Sequence, residues 1–372
     1  MDEWLIDDET IPLARRSVLP GEGFFTPDTF DAVEAEREAR ERLAGADRVV
    51  VADPDSDGLG CVALVRVVHG EAALLPAGPH EIREALEHVA AFAEPGVDVF
   101  VCDLAPDSPD DVASLPEVAT RAASIRWFDH HQWDDVLAAT VREHADLVVG
   151  DSDEECSTDV ALRSLPHDFD DRYAELAAVT RDHDLWLRED PRSDDLADYA
   201  YWEEPEAYVE TVVEHGADLP PEVAEFLAER RVEKEALIEK AVDRAEYRTV
   251  GEWTVGVTYG RCSQNEVAEA MRAEGADASV IVKPAGSASI RGTDAFTRCH
   301  EVAAQVNGGG HPKAAGCKPD IYRDMLDYAH HWTTRGAVAK QTILDAFRTL
   351  DREGDAGDAN DANDARGDGG TD

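Results

Sequence analysis

Residues 48–60, RVVVADPDSDGLG, place Asp53, Asp55 and Asp57 at alternate positions and follow them with Gly58. Two carboxylates about 4 Å apart repel by about 4 kcal/mol at an effective dielectric of about 20, so three at the end of a rigid segment call for a counter-charge. A divalent cation answers that need. The competing use of the same residues is a polar loop in which an aspartate caps the helix that opens near Leu59. Later stretches repeat the theme: Asp103 follows an apolar run over 97–102, the triplet Asp129, His130 and His131 follows another over 124–128, and Asp182 and Asp184 sit in the polar segment 181–186. Carboxylate oxygens with an imidazole and no thiolate suit a hard, roughly octahedral ion, Mn2+ before Zn2+, with Mg2+ as substitute. Two such ions about 3.5–4 Å apart would clamp a phosphodiester and acidify a water between them.

The elements that must position these side chains alternate. Apolar runs at 49–52, 72–75, 97–102, 124–128 and 147–150 read as strands; 29–43, 59–69, 80–92 and 110–121 read as helices. That alternation predicts an α/β fold, a parallel sheet flanked by helices. In such sheets ligands bind beyond the carboxyl ends of the strands, where every acidic cluster falls. Helices follow over 157–165 and 171–180, residues 189–200 read as a polar loop, and 222–247 as a long charged helix joining two domains. The part after it changes character: a strand over 252–259, a capping box at Ser263–Glu266 opening a helix to Ala273, a strand pair over 278–283 and 288–291, a helix over 298–306, then Gly308, Gly309, Gly310 and His311. This predicts a smaller α/β domain with a mixed sheet. The expected divisions are an N-terminal lead-in and helix (1–47), a catalytic domain (48–200), a helical connector (201–247), a substrate-binding domain (248–350) and a disordered acidic tail (351–372).

Composition speaks of the solvent more than of the partner. Acidic residues number 81 against 35 basic ones, for a net charge of −46 spread along the chain, with only six lysines. A hydrated acidic surface of this kind fits a salt-rich, halophilic cytoplasm. Acidity ordinarily opposes nucleic-acid binding, but at molar salt the Debye length is about 3 Å, so a nucleic-acid substrate stays open. The six scattered cysteines read as buried free thiols in a reducing compartment. There is no basic and apolar leader at the start and no apolar run long enough for a membrane span, so the expected location is cytoplasmic, with no membrane partner.

Taken together, Asp53-x-Asp55-x-Asp57-Gly58, Asp103, Asp129-His130-His131, Asp182 and the Gly-Gly-Gly-His of 308–311 resemble the DHH phosphoesterases, over about residues 48–318, with a DHH-associated second domain. The resemblance implies metal ligation by Asp53, Asp55, Asp57, Asp103, His130 and Asp182, with Asp103 bridging two Mn2+ ions. Asp129 and His131 stand beside the ions, orienting His130 or touching phosphate, so Asp129, His130 and His131 form the catalytic triplet. Asp184 competes with Asp182 for the last position. Val51 stands where many family members acting on small substrates carry a histidine, which places the first motif closer to RecJ-like exonucleases. Trp186 is either a base-stacking side chain or core.

In the second domain, Gly309 and Gly310 would let backbone amides approach a phosphate, and Arg291 and His311 would grip it, with Asn265 and Ser289 beside them. The expected enzyme is a phosphodiesterase with its site in the cleft between the domains, cutting single-stranded RNA or DNA or short oligonucleotides to nucleoside monophosphates. The alternatives are a phosphodiesterase for cyclic dinucleotides or other small phosphoesters, and a non-catalytic nucleic-acid-associated scaffold. A homodimer is compatible with the sequence.

Overall fold

The structure is a computed structural model that describes residues 28–79 and 81–364. The lead-in expected over 1–27, the helix start expected at His80 and residues 365–372 lie outside the described residues. The described residues divide into two compact units, one over Ala32–Arg230 and the other from Arg231 onward, residues 28–31 being grouped with the second.

The first unit runs α1 (Asp28–Leu43), β1 (Arg48–Ala52), α2 (Ser56–His69), β2 (Ala73–Pro76), α3 (Ile82–Phe92), β3 (Asp98–Cys102), a 3-10 turn (Pro109–Val112), α4 (Leu115–Arg121), β4 (Ser124–Asp129), α5 (Asp135–Arg142), β5 (Asp146–Val149), then α6 (Ser157–Ser164), α7 (Asp171–Asp184), α8 (Pro191–Trp202) and α9 (Pro205–His215). Its five strands are all parallel in the order β2-β1-β3-β4-β5. Side chains alternate across such a sheet, and both faces are apolar. Val49, Val51, Val99, Val101 and Trp127 pack under α1, α3, α4 and α5. Val50, Ala52, Phe100 and Phe128 pack under α2, α6, α7, α8 and α9. The strand order reverses direction between β1 and β3, and a crevice opens at such a point beyond the carboxyl ends of the two strands. Asp53 follows one of these strands and Asp103 the other.

Two expectations need correction. Residues 189–200 are mostly helix, not loop: the Asp190 carboxylate accepts from the Arg192 amide, Pro191 occupies the first turn, and Leu196, Tyr199 and Ala200 are buried at helical spacing. Polar residues in between hide that pattern. The long helix, α10 (Pro221–Val242), stops short of 247, because β6 (Glu246–Val250) turns back as an antiparallel partner of β7. The division between units falls within α10, and Val223 and Leu227 on its first half belong to the first unit's core with Tyr208 and Val212 of α9.

The second unit continues with β7 (Trp253–Tyr259), α11 (Gln264–Ala273), β8 (Ala278–Val282), β9 (Ala288–Gly292), α12 (Cys299–Ala304), β10 (Gly308–Gly310), β11 (Ala314–Cys317), α13 (Met325–Thr333) and α14 (Ala337–Asp364). Its mixed sheet has the order β10-β11-β9-β8-β7-β6, with β7 and β8 parallel and the other pairs antiparallel. One face packs Val255, Val257, Val280, Ile290 and Phe296 against α12 and α14; the other packs Ile281 against Val267 and Met271 of α11. Helix α14 runs to Asp364, past the 350 boundary expected for the tail, and Phe347 and Leu350 on it are buried. No described helix is long and apolar enough to cross a membrane.

Candidate metal centre

The first-unit acidic residues converge because three strand ends (β1, β3, β4) and three helix ends (α2, α6, α7) meet there. β1 delivers the aspartates, and Asp55 caps α2: its Oδ1 accepts from the amides of Asp57 at 2.9 Å and Gly58 at 3.0 Å. The capping role and the charge cluster therefore coexist in one loop. Gly58 is required by packing. A Cβ there would lie 2.2 Å from the carbonyl oxygen of Asp53, so Gly58→Ala is expected to destabilise the protein by about 1–3 kcal/mol and to displace Asp53, read as a shifted denaturant midpoint with impaired metal binding.

Helix α6 grips Asp57 from the far side. The amides of Ser157 and Thr158 donate to its two carboxylate oxygens, each at 2.7 Å, and the Thr158 hydroxyl donates to its carbonyl at 2.9 Å. The Ser157 hydroxyl donates to Oδ1 of Asp103 at 2.9 Å. Nothing in the sequence assigns these two residues a supporting role, although the Ser-Thr-Asp at 157–159 marks a helix start. Asp103 itself sits at φ 57°, a left-handed conformation costly for a non-glycine residue, which turns its side chain out of the strand direction.

The imidazole of His130 completes the cluster. Its Nε2 lies 3.2 Å from Asp184, 3.9 Å from Asp103 and 4.0 Å from Asp57. Asp57, Asp103 and His130 are buried. Among the described residues, Asp184 Oδ2 and His130 Nδ1 are buried without a hydrogen-bond partner. Burial and the neighbouring Asp57 and Asp55 charges push the Asp103 and Asp184 carboxyls well above the usual range. Burial and Asp55 hold Asp53 up to about 8, and burial and Asp57 raise Asp55. Carboxylates that raise one another, with a buried unpaired oxygen against an imidazole, could hold a hard divalent cation.

Asp182 does not join them. Its carboxylate accepts from the amides of Glu189 at 2.8 Å and Asp190 at 3.3 Å, and its carbonyl accepts from Leu187 at 2.8 Å, so it pins the loop leaving α7. Asp184 takes the place beside His130. Two residues along a helix differ by about 200° in direction, so only one of the pair can face the cluster. Asp129 is likewise saturated: Oδ1 faces His131 Nδ1 at 2.9 Å, and Oδ2 accepts from Trp133 Nε1 at 2.6 Å and the His131 amide at 3.1 Å. It orients His131, not His130. Burial alone would lower His131, but the hydrogen bond and charge of Asp129 win and hold it up to about 9. Trp186 lies in the loop pinned by Asp182, at φ 57°, with the edge of His183 and the Arg188 guanidinium against its ring.

Two solved structures share this architecture. The exonuclease RecJ bound to manganese superposes with a TM-score of 0.51 at 17% identity, covering 87% of this chain and 95% of that one. A DHH domain from a member of a family of ribosomal proteins gives 0.53 at 15% identity, covering 91% and 95%. The chain has the DHH phosphoesterase fold. No protein-family model and no curated protein matches it. At such identities the likeness concerns the backbone.

The second unit of the DHH fold carries its own polar patch. Arg291 on β9 donates from Nε to Asn265 Oδ1 at 2.9 Å and from Nη1 to the carbonyl of Ile290 at 3.2 Å, and Ser289 Oγ bonds Gln264 at the start of α11. Arg291, Asn265 and Ser289, grouped on sequence grounds, are together in the fold; Gln264 joins them without a signal of its own. The glycine run has a different cause from the one expected. Gly308 and Gly310 lie in a hairpin with β11, where a Cβ would meet the Gly316 carbonyl at 2.1 Å and the Ala314 carbonyl at 2.7 Å. Their bare backbone serves the hairpin. Only Gly309, paired with Gly316, leaves open space in front of it. His311 is exposed at the hairpin end, its amide bonded to the Ala314 carbonyl at 2.7 Å.

Proposed function

We propose that the protein is a divalent-metal-dependent phosphodiesterase that hydrolyses single-stranded nucleic acid, short oligonucleotides above all, to nucleoside monophosphates. The observation that carries this reading is the group of buried Asp57, Asp103 and His130 with the partly exposed Asp184, whose buried Oδ2 lies unpaired against the imidazole. Asp53 and Asp55 extend the donor set on one side. Bound divalent ions, Mn2+ by preference and two in number, would supply a nucleophilic water at neutral pH and neutralise phosphate charge. The residues of the chain do the rest. Helix α6 fixes Asp57 and Asp103, the strained backbone of Asp103 directs its carboxylate inward, and Asp129 keeps His131 protonated and oriented as a cation for a phosphate oxygen. Arg291, Asn265, Ser289, Gly309, Gly310 and His311 are assigned to substrate binding on the second unit, Gly310 by shaping the hairpin.

RecJ, crystallised with manganese, lends the reading support through its shared fold. The test is turnover in high salt with Mn2+, offering an end-labelled RNA trimer, a 24-nucleotide RNA, its DNA counterpart and a cyclic dinucleotide, with Asp103→Ala as control. Rapid loss of the trimer, with slow attack on the long strands and none by the control, is expected. Turnover of the cyclic dinucleotide alone would redirect the assignment to a small-phosphoester phosphodiesterase. No turnover of any substrate would leave a non-catalytic scaffold.

A further inference from the structure

Three carbonyls of the turn between β8 and β9 are met by aromatic side chains from outside the sheet. His331 Nε2 donates to the Lys283 carbonyl at 2.8 Å, Trp332 Nε1 donates to the Pro284 carbonyl at 3.0 Å, and the Tyr322 hydroxyl lies 3.4 Å from the Gly286 carbonyl. His331 and Trp332 belong to α13, and Tyr322 precedes it. The Tyr322 ring covers the turn so closely that a Cβ on Gly286 would meet it at 2.6 Å. Within itself the turn is closed by the Lys283 amide on the Ser287 carbonyl at 2.8 Å and the Gly286 amide on the Lys283 carbonyl at 3.0 Å.

The clasp centres on one imidazole whose proton has a fixed place. A carbonyl cannot donate, so the bond to Lys283 puts the hydrogen of neutral His331 on Nε2. Nδ1 is then an acceptor, and the Tyr322 hydroxyl donates to it at 2.9 Å. His331 is 4% exposed. The titratable groups around the pair are Tyr259 of β7, Cys317 of β11, Tyr328 on α13, Lys340 of α14 and Lys283 of the turn itself. Phenols, a thiol and ammoniums supply no negative charge at neutral pH.

We infer that this clasp is acid-sensitive: a proton taken from solvent by His331 Nδ1 removes the acceptor of the Tyr322 hydroxyl and frees the β8–β9 turn. The hydroxyl must then send its hydrogen to the Gly286 carbonyl, which at 3.4 Å is a poor acceptor. What stays behind is a buried cation without a counter-charge, and opening the turn hydrates it. Burial and the Lys340 charge lower His331 from its ordinary 6.5, against the Lys283 carbonyl, which raises it. A histidine lowered in the folded state supports the closed form fully above 6.5 and loses that support as pH falls through the folded value. Opening in that window takes up one proton, so the open fraction should rise about tenfold per pH unit. Strand β9 starts two residues beyond Gly286 and carries Ser289 and Arg291. Resting on their assignment to substrate binding, acid should also weaken the hold on substrate.

The test is amide hydrogen exchange by NMR on the full chain, in high salt with chelator, from pH 5 to pH 8. Protection factors remove the intrinsic pH dependence of exchange, and the imidazole nitrogens are followed in the same samples. The wild type is expected to show His331 as the Nε2–H tautomer, titrating below 6.5. Protection of the Lys283 and Gly286 amides should fall about tenfold per pH unit below 6.5, while Val280 and Ile290 in the sheet interior keep theirs. His331→Gln offers both a donor and an acceptor and cannot titrate, so its turn should be equally protected at pH 5 and pH 8. Turn protection that is flat with pH in the wild type, a fall shared by Val280 and Ile290, or a fall that persists in His331→Gln overturns the inference. Should that variant fail to fold, the wild-type imidazole decides, since an Nδ1–H tautomer or a titration at or above 6.5 overturns it as well. A dinucleotide titrated into the wild type and His331→Gln at both pH values reads the substrate arm. Lost turn protection with unchanged affinity would remove β9 from substrate binding and leave the clasp standing.

Discussion

Asp184→Asn is expected to lower Mn2+-dependent turnover by about 10³-fold, whereas Asp182→Asn should stay within about tenfold of the parent. The asymmetry follows from where each carboxylate points. Asp184 lies 3.2 Å from His130 Nε2 with an oxygen otherwise unpaired, so the amide removes a charge from the group proposed to hold the cation. Asp182 spends both oxygens on the amides of Glu189 and Asp190, and an asparagine keeps one acceptor for that loop. A Mn2+ titration separates chemistry from binding: the first variant should lose about two orders of magnitude in affinity, several kcal/mol being typical of a lost charge partner in a desolvated site. The second should titrate as the parent does. Equal losses, or the reverse order, would mean that the loop and not the cluster holds the ion.

The second large effect is the dependence of stability on metal and pH. Asp53 is held up to about 8, against an ordinary 3.8, and Asp103 and Asp184 are raised in the same direction. A carboxyl raised in the folded state favours folding fully below its ordinary value and loses that contribution as pH rises through the folded value. His131, raised from 6.5 to about 9, adds a loss of the same sign over a higher window. The metal-free protein should therefore melt at progressively lower temperature from about pH 4 to about pH 9. Divalent ions bind the ionised cluster and reverse the trend. At a hundred times the dissociation constant the gain is about 2.7 kcal/mol, or about 5–10 °C for a unit of this size, and it should be largest near pH 8 and small at pH 5. Calorimetry in chelator and in Mn2+ at constant high salt measures both arms. A melting temperature that rises with pH in chelator, or that ignores Mn2+ at pH 8, would remove the argument that the cluster is built for a cation.

Much of the centre is legible in the sequence because its signals are local. Short apolar runs that end in aspartate mark strand ends, and the alternation with helices forces those ends to one edge of a parallel sheet. Hence Asp53, Asp55, Asp57, Asp103 and His130 can be named from residue type and position. The helix at Pro191–Trp202 cannot, since polar residues outnumber the few buried ones along it and its cap and proline resemble a loop. The glycine run does signal bare backbone, but the backbone it accommodates is its own hairpin partner.

What the sequence by itself determined was the type of chemistry: hard oxygen donors with an imidazole, at strand ends of an α/β sheet, and a second, mixed sheet carrying Arg291. Tertiary structure decided which donors meet. Asp182 and Asp184 are chemically alike, two residues apart at the end of α7, and only the packing of that helix against α6 and α2 settles which one turns toward His130. Ser157 and Thr158 became supports of Asp57 and Asp103 from distant parts of the chain, and Arg291 met Asn265 of α11 across the second sheet. Residue type sets what a side chain can bind, but direction and distance are set by contacts between segments far apart in sequence, and no local pattern encodes those.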